Sequence, residues 1–535
     1  MNSIQLLTKA GQIIDELARS GPSTPAELAK AVDEPRPSVY RIAAALDQLE
    51  IVRGGATGQL ELGPGLLRWG DAVVEAFVDR RELHKQLRWV REQVGMNAYF
   101  AVPGAGGLLC LDQEAGAVVD LRDLEPGRVL PLHAGAASHV ALAFAPPEAQ
   151  AELLASADFE PLASGTPTGI AELRALLEST VTRGFSVADS EIVDGIASVA
   201  VPVRRDDVLV GVVSVAGLRA SVVPQADSAA QVLEIAARAI ADSMKRPVPP
   251  GPLSRGGADS AGERSGTRSP ALILKAGALM EALAAERVAT SARLTELTSE
   301  PASSVYRMLA SLVELGWVEQ ITPRGAYRVG GKLLTLASEL LRGLDIRKAA
   351  RPILEEIHAA TGETTFLCVR NGPRAVCIER IDGVRVNSTV LQLGRSLPLH
   401  VGAAPRALLA FEEKGAWDEY ASIASSSEDL RRDAVSRSEL YAQLEAIREA
   451  GLAISDNTVT PGIAAIGAPI FDHYGRVAAS LSVSGLRDGI LAAPDEGRSV
   501  AELVRWGARE LSRYLGWVYP ALGEHRHDPA ATRGP

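Results

Sequence analysis

Near the N-terminus, hydrophobic residues recur every three to four positions, which predicts a bundle of three short helices followed by a hairpin. The first apolar stripe runs from Ile4 to Leu17. The segment STPAE at 23–27 offers a capping residue, a proline and a capping-box glutamate for the second helix. A third helix is predicted from about Arg36 to Leu49, and the apolar pairs flanking a glycine-rich turn at 51–62 predict a two-stranded wing.

The same pattern returns in the second half of the chain. It predicts a second helix near Ser291–Thr298, a third near Ala302–Leu315 and a wing over Trp317–Val329. A short helix, a tight turn and a longer helix form the helix-turn-helix plan, in which the second of these two helices enters the major groove of DNA.

Sequence matches at a nearly fixed offset indicate that one unit has been duplicated. LPLHAGAASHVALA at Leu130 and LPLHVGAAPRALLA at Leu397 share nine of fourteen positions and start 267 residues apart. SVYR occurs at Ser38 and again at Ser304, 266 residues later. The chain of 535 residues is therefore predicted to hold two copies of a unit of about 265 residues.

Each repeat continues, after its wing, into a segment predicted to be α+β. Short apolar runs such as NAYFAV and GVVSVAGL alternate with turns, and helices are predicted at about 80–94, 136–145, 170–183 and 226–244. The resulting fold prediction is α+β, with two repeats of a helical module followed by a domain built on an antiparallel sheet. The predicted domains are residues 1–65 and 271–332 for the winged helix-turn-helices, 66–245 and 333–520 for the sheet domains, 246–270 for a linker rich in Pro, Gly and Ser, and 521–535 for a disordered tail.

The predicted solvent faces of the third helices carry hydroxyl, phenol and guanidinium groups, which can donate to phosphates or base edges. Because neither module is strongly basic, a merely solvated helix face is the alternative interpretation. These candidate DNA-binding residues are Arg36, Ser38, Tyr40 and Arg41 in the first repeat and Ser303, Ser304, Tyr306 and Arg307 in the second.

Composition and charge narrow the function classes. The net charge of −11 argues against a protein that coats nucleic acid by charge alone, but it leaves room for a small DNA-reading module. The three cysteines form no CxxC pair, and neither a signal peptide nor a membrane span is predicted, which favours a cytoplasmic protein. No metal site or cofactor is predicted, and the catalytic motifs GxSxG, Walker A and HExxH do not occur, so an enzyme is not expected.

The ordered motifs resemble the IclR family of bacterial transcriptional regulators. STPAELAKAVDEPRPSVYRIAAAL and TSARLTELTSEPASSVYRMLASLVELGWVEQ resemble that family's winged helix-turn-helix. LPLH with its small-residue run, and the closing stretches GIASVAVPVRRDDVLVGVVSVAGL and GIAAIGAPIFDHYGRVAASLSVSGL, resemble its sensor domain. The resemblance covers nearly the whole chain, twice, and implies a GAF-like sensor fold that binds a small organic effector.

By this resemblance, the small-residue loop and the closing strands line an effector pocket in each sensor. At an acidic family position the first repeat offers Ala188 or Asp189 and the second Ser455 or Asp456. Side-chain packing is the alternative role for each of these small residues. The candidate effector residues are Ala136, Ala137, Asp189, Ser198, Ser214 and Ala216 in the first sensor and Ala403, Ala404, Asp456, Ala465, Ser482 and Ser484 in the second.

The chain departs from the family pattern at two kinds of position. The helix-turn-helix turn usually has Gly followed by an apolar residue, but here it reads Asp33-Glu34 and, in the second repeat, Ser-Glu at 299–300. The small-residue run usually continues with Gly-Lys, and here it reads Ser-His at 138–139 and Pro-Arg at 405–406. His133 and His400, at matching positions, are expected to be structural rather than ligands, and the matching cysteines Cys110 and Cys377 to be small buried hydrophobes.

The predicted function is a ligand-responsive transcriptional regulator whose partners are an operator in double-stranded DNA and a small organic effector. The alternative is a ligand-sensing, protein-binding module with vestigial DNA-binding domains. A flexible linker of 25 residues spans ~25–30 Å on average, so the two repeats are expected to pair within one chain as an intramolecular pseudo-dimer. Further pairing between chains is left open.

Overall fold

The structure is a computed structural model, and it forms two compact units, Met1–Arg342 and Gly343–Pro535. The predicted linker and the predicted tail lie outside the described residues. The structure describes residues 4–54, 58–104, 107–116, 121, 124–155, 159–206, 208–244, 271–321, 325–384, 391–427, 430, 436–492 and 497–517.

The first unit begins with the predicted helical module. Thr24 caps the second helix: its hydroxyl accepts from the Glu27 N–H at 3.3 Å, and the Glu27 carboxylate accepts from the Thr24 N–H at 2.7 Å. This reciprocal pair confirms the capping box predicted from STPAE. The elements are α1 (Gln5–Ser20), α2 (Pro25–Ala31), α3 (Arg36–Gln48), β1 (Val52–Gly54), β2 (Leu60–Leu62) and α4 (Gly65–Glu75).

The second helical module follows the same plan and also belongs to the first unit. Its wing gains a third strand that the sequence did not predict, because Val288–Thr290 pairs with the strand at Ala326–Val329. The helices α11 (Ala271–Glu286), α12 (Ser291–Thr298), α13 (Ala302–Glu314) and α14 (Lys332–Gly343) flank the strands β9 (Val288–Thr290), β10 (Val318–Gln320) and β11 (Ala326–Val329).

The turn of each helix-turn-helix keeps a left-handed backbone although the usual glycine is missing. Asp33 has φ 51° and Ser299 has φ 54°, the region that glycine occupies at least cost. Short polar side chains tolerate this region better than branched ones. The departure from the family's Gly therefore leaves the turn geometry in place.

The residue after each turn, a glutamate where the family has an apolar residue, is paired with a lysine of the module's first helix. Lys9 Nζ lies 3.9 Å from a Glu34 oxygen, and Lys275 Nζ lies 2.8 Å from a Glu300 oxygen. The two lysines are 266 residues apart, so the same ion pair occurs in both repeats.

The first sensor is a six-stranded antiparallel sheet in the order β5-β4-β3-β8-β7-β6, with helices against both faces. Helices α6 and α8 pack together on one side, while α5 and α10 cover the other. Its elements are α5 (Arg80–Val94), β3 (Asn97–Gly104), β4 (Gly107–Glu114), β5 (Val129–Leu130), α6 (Ala136–Ala143), α7 (Pro147–Ala155), α8 (Ile170–Arg183), β6 (Ser186–Asp189), β7 (Ile196–Arg205), β8 (Val208–Leu218), α9 (Arg219–Val222) and α10 (Ala226–Ser243).

A histidine with two carboxylates joins α5 to β4. His84 Nε2 lies 2.9 Å from a Glu114 oxygen, and its Nδ1 lies 3.5 Å from an Asp112 oxygen. The hydrogen bond to Asp112, followed by that to Glu114, raises the pKa of His84 from 6.5 to about 8.

The second unit holds the second sensor, whose sheet repeats the first in the order β14-β13-β12-β17-β16-β15. The two sheets confirm the α+β prediction. The term GAF-like describes these sensor domains only loosely. The elements are α15 (Ile346–Thr361), β12 (Thr364–Asn371), β13 (Arg374–Ile381), β14 (Ser396–Pro398), α16 (Ala403–Ala410), α17 (Lys414–Ser426), α18 (Arg437–Ala450), β15 (Ala453–Asp456), β16 (Ile463–Phe471), β17 (Val477–Leu486), α19 (Arg487–Leu491) and α20 (Val500–Tyr514).

Candidate functional sites

The third helices present a polar face to solvent. Tyr40 is 59% exposed and Tyr306 is 53% exposed, although both belong to helices whose other face is buried in the module core. A large aromatic ring exposed at the same position of both helices suits contact with a partner molecule. Of the other candidates, Arg36, Arg41, Ser303 and Arg307 are exposed, whereas Ser38 and Ser304 are half-buried.

The two helical modules pack against each other through reciprocal contacts. A Cβ atom on Gly11 of α1 would lie 2.4 Å from Leu315, the residue after α13, and one on Gly277 of α11 would lie 2.5 Å from Leu49, the residue after α3. Gly11 corresponds to Gly277 in the repeat, and Leu49 to Leu315. Each module therefore offers the same glycine and the same leucine to the other, as in an isologous dimer interface.

The contact between α4 and α14 marks the centre of this arrangement. A Cβ on Gly70 would lie 2.6 Å from the Ala337 Cβ, and these two residues occupy the same repeat position. Beside them, the rings of Trp69 and Trp317 have centroids 6.0 Å apart. Matching residues that face each other in this way define a pseudo-twofold axis between the modules.

Polar contacts also join the modules. The Ile4 N–H at the start of α1 donates to Ser311 Oγ of α13 at 2.6 Å, and this contact is buried. Lys332 Nζ lies 2.7 Å from an Asp15 oxygen. These contacts fix two helix-turn-helix modules of one chain as a pair with both polar faces exposed.

In the first sensor, most of the predicted effector residues gather between α6 and the sheet. Ala136 and Ala137 are buried at the start of α6, and the Ala136 N–H donates to Ser198 Oγ of β7 at 3.3 Å. Ser198 pairs with Ala216 of β8 across the sheet, and Ala216 lies in the same hydrophobic cluster as both alanines.

The remaining serine of the first sensor is engaged by a residue that the sequence analysis did not select. Ser214 Oγ donates to the Val199 carbonyl at 2.8 Å and is hydrogen-bonded to the Tyr99 hydroxyl. Burial raises the pKa of Tyr99, so this phenol stays neutral. Ser214 therefore has its hydrogen bonds satisfied within the protein.

The structure does not bring Asp189 or Asp456 to this face. Asp189 lies 2.6 Å from Arg219 Nε, and Asp456 lies 2.8 Å from Arg487 Nε, both pairs being partly exposed. Side chains alternate along a strand, so the preceding residues point inward instead. These are Ala188 and Ser455, each 3% exposed.

A buried glutamate stands at the start of α6. Glu191 accepts a hydrogen bond from the Gly135 N–H at 2.8 Å, and its carboxylate lies 3.2 Å from His139 Nε2. The other ring nitrogen of His139 lies 3.2 Å from Ser186 Oγ. Sequence reasoning noted His139 as a departure but missed Glu191, since nothing in the local pattern marks a loop carboxylate as buried.

The second sensor brings the matching residues together with different partners. Ala403 and Ala404 begin α16, and Gly467 of β16 approaches so closely that a Cβ there would lie 2.9 Å from Ala403. Ala465 and Ser484 pair across β16 and β17, and Ser482 pairs with Gly467. Ser482 is 3% exposed, and among the described residues its hydroxyl has no hydrogen-bond partner.

A cavity of about 330 Å³ lies beside this loop in the second sensor. His400 stands at its edge, with Nδ1 2.6 Å from the Tyr420 hydroxyl. In the first sensor the matching histidine, His133, contacts a backbone carbonyl instead of a tyrosine hydroxyl: its Nε2 lies 3.0 Å from the Glu160 carbonyl oxygen. The cavity is lined by His400, Tyr420, Ala421, Ser422, Ala424, Ser425, Arg437 and Leu440.

The cysteines are buried and unpaired. Cys110, Cys368 and Cys377 have no exposed surface, and Cys368 lies directly opposite Cys377 on neighbouring strands. This confirms the interpretation of Cys110 and Cys377 as buried residues. Across the described ranges, no group of three or more metal-ligating side chains comes together, and no helix is long and apolar enough to cross a membrane.

Two protein-family models match this chain, and each of them matches once in each repeat. The IclR helix-turn-helix domain matches residues 6–54 and 272–322, and the C-terminal domain of the bacterial transcriptional regulator IclR matches residues 80–242 and 338–513. The matches at 6–54 and 80–242 cover the first repeat, and those at 272–322 and 338–513 cover the second, as the internal duplication predicts.

The relatives each correspond to about half of this chain. The HTH-type transcriptional regulator KipR of Bacillus subtilis is 31% identical over 249 residues, which are 46% of this chain and 97% of that protein. The regulator KdgR of Dickeya chrysanthemi is 29% identical over 249 residues, 46% of this chain and 80% of that protein. The Agobacterium tumefaciens repressor BlcR, known from a crystal structure, is 27% identical in sequence. The match covers 46% of this chain and 98% of the BlcR chain, with a TM-score of 0.39.

Proposed function

The chain belongs to the IclR family of bacterial transcriptional regulators, with both family domains present twice, and on this premise we propose that it reads its operator as a single-chain pair. It is a ligand-responsive DNA-binding regulator, in which effector binding to the sensor domains alters operator binding. The observation that supports the pairing is the reciprocal packing of the modules around Gly70 and Ala337.

We propose that the exposed faces of α3 and α13 contact DNA. Arg41 and Arg307 occupy the same position in SVYR, are exposed, and directly follow the exposed tyrosines Tyr40 and Tyr306. The two faces differ elsewhere, with Arg36 in one repeat and Ala302 in the other. Unlike half-sites follow from unlike faces, so the operator is an imperfect palindrome.

The test is binding of the purified chain to the DNA upstream of its own gene, by gel shift and footprinting. Arg41→Ala and Arg307→Ala each weaken binding and lower the slope of log affinity against log salt by ~1, since each removes about one phosphate contact. Arg238→Ala is the matched control, because this arginine is 81% exposed on α10, a helix that packs on the sheet of the first sensor.

Two results decide against this proposal. Unchanged affinity in both arginine variants and in their double variant would exclude these faces. Absence of specific DNA binding by the wild-type chain would instead favour the protein-binding alternative with vestigial helix-turn-helix modules.

We propose that an effector binds between the small-residue loop and the closing strands, with Ala188 and Ser455 replacing the two aspartates in the predicted set. The support in the first sensor is the cluster that holds Ala136, Ala137 and Ala216, with Ser198 accepting from the Ala136 N–H. In the second sensor, Ala403 and Ala404 share one cluster, and Ala465 packs against it and pairs with Ser484. Thermal-shift screening of small carboxylic and aromatic acids tests this: a ligand at 100 times its Kd adds ~2.7 kcal/mol to stability. We further propose that the ligand is not transformed, which mass spectrometry of the recovered compound checks.

A further inference from the structure

The two sensors treat the start of their central helix differently, although the surrounding sequence is repeated. In the first sensor, the first N–H groups of this region have partners: the Gly135 N–H donates to Glu191 at 2.8 Å, and the Ala136 N–H donates to Ser198 at 3.3 Å. A helix start concentrates unsatisfied donors and partial positive charge, so a carboxylate is stabilised there.

The second sensor lacks every one of these internal partners. At the positions of Tyr99, Ser198 and Glu191 it has Phe366, Ala465 and Thr458. Thr458 is exposed, and its hydroxyl is hydrogen-bonded to Ser455 rather than to the helix start.

Donors are consequently left over in the second sensor. Within the part of the chain that the structure describes, the Gly402 and Ala403 N–H groups make no hydrogen bond. The hydroxyl of Ser482, a residue that is 3% exposed, is likewise without a hydrogen-bond partner there, whereas its counterpart Ser214 is bonded to Tyr99. Ser482 pairs with Gly467, where a Cβ would lie 2.9 Å from Ala403, so its hydroxyl and the two N–H groups belong to elements in contact. One O–H and two N–H donors of this kind match the needs of a carboxylate.

In the first sensor, Glu191 supplies an acceptor for an N–H group at the helix start. Its side chain is 7% exposed, and its backbone is held because Thr166 Oγ1 donates to the Glu191 carbonyl at 2.7 Å. Ile192, the next residue, covers Gly135, since a Cβ on that glycine would lie 2.8 Å from the isoleucine side chain. The loop at 190–195 therefore places the Glu191 carboxylate at the start of α6, and its Ile192 side chain packs against Gly135.

We infer that Glu191 is a built-in ligand of the first sensor, and that only the second sensor responds to an external small carboxylate. This inference rests on the proposed effector site. The first sensor stays in the liganded arrangement whatever the effector concentration, so the chain carries one constant half and one responsive half.

Hydrogen exchange of the full-length chain, followed by mass spectrometry, tests the inference at each helix start separately. In Glu191→Ala, the amides of Gly135–His139 exchange at least about tenfold faster, because a hydrogen bond to a charged acceptor contributes a factor of this size. Sodium acetate, which replaces the missing carboxylate, restores their protection, whereas equal sodium chloride does not. Wild-type protein shows no acetate effect at these amides.

Two further variants guard against simple misfolding. Glu191→Gln keeps the volume and an acceptor oxygen, so it keeps the fold, loses part of the protection and shows no acetate rescue. Thr458→Glu carries the internal carboxylate into the second sensor, so it protects the amides at the start of α16 and abolishes any carboxylate response there.

Unchanged exchange in Glu191→Ala, or exchange that acetate does not restore, overturns the inference. An acetate response at the first sensor of the wild-type protein overturns it as well. If acetate rescues Glu191→Ala while no carboxylate affects wild-type α16, then Glu191 is the internal ligand of the first sensor, but the inferred carboxylate response of the second sensor is wrong and its proposed effector site fails.

Discussion

Replacing Gly70 by alanine should push apart the two helices that cross at the centre of the paired modules. The new Cβ would lie 2.6 Å from the Ala337 Cβ, against an ordinary carbon–carbon contact of ~3.5–4.0 Å, so α4 and α14 must separate by ~1 Å. Overpacking of this kind costs ~1–3 kcal/mol, and the better helix propensity of alanine returns up to ~1 kcal/mol. The expected net loss is ~1 kcal/mol, or about fivefold faster opening.

The reciprocal substitution turns this into a test of the axis itself. Ala337→Gly alone costs ~1 kcal/mol through helix propensity. The double variant, Gly70→Ala with Ala337→Gly, only exchanges one methyl group across the axis, so its stability should return nearly to that of wild type. The coupling energy between the two sites should therefore be ~1–3 kcal/mol, measured from hydrogen exchange of α4 and α14 in the full chain.

Gly169→Ala is the control for the effect of replacing a glycine by alanine where the new methyl group contacts no other residue. That residue has extended backbone, and a Cβ there meets nothing within 4 Å. If the two axis substitutions prove additive within ~0.5 kcal/mol, then Gly70 and Ala337 do not touch and the pairing of the modules described above is wrong.

Three further outcomes are expected. The free energy of unfolding of the first sensor should fall by ~2 kcal/mol at most as pH rises from 6.5 through 8. The raised pKa of His84 gives a stabilising contribution that is complete below pH 6.5 and is lost as the folded imidazolium deprotonates. The thermal unfolding temperatures of wild type and His84→Gln should therefore converge at pH 9. Ser299→Gly should be neutral or stabilise by up to ~1 kcal/mol in thermal unfolding, whereas Ser299→Val, a branched residue at φ 54°, should destabilise by ~1–2 kcal/mol. Dimeric footprints should persist on dilution to nanomolar chain, since tethered modules meet at effective concentrations near ~mM; loss of one half-site on dilution would contradict this.

The sequence was enough to place most helices of the first repeat. Helices predicted at about 80–94 and 170–183 are found at Arg80–Val94 and Ile170–Arg183, because amphipathic spacing and flanking glycines are local signals. The third strand of the second wing was missed, since Val288–Thr290 is too short to show alternation and forms only by pairing with a distant strand.

The candidate sites were less predictable, because they depend on register and on partners far apart in the chain. Ala188 and Asp189 differ by one position, and only the pairing of Ala188 with Ser198 shows which of them faces α6. Ser214 has the Tyr99 hydroxyl opposite it in the neighbouring strand, in addition to the Val199 carbonyl, whereas the matching Ser482 lies opposite Phe366, which offers no hydrogen bond. Single-sequence reasoning finds such serines but cannot tell a satisfied one from one that awaits a ligand.

The crossing of α4 and α14 has a consequence for how this protein can change over generations. In a dimer of identical chains, a residue on the twofold axis faces itself, so every substitution there occurs on both sides at once. Here Gly70 faces Ala337 instead of another glycine. Trp69 packs against Trp317, whereas the matching positions on the other side of the axis are occupied by Leu336 and Ile51. Fusion of the two repeats lets a single mutation alter one side of the interface, one DNA-reading helix or one sensor, and leaves its twin as it was.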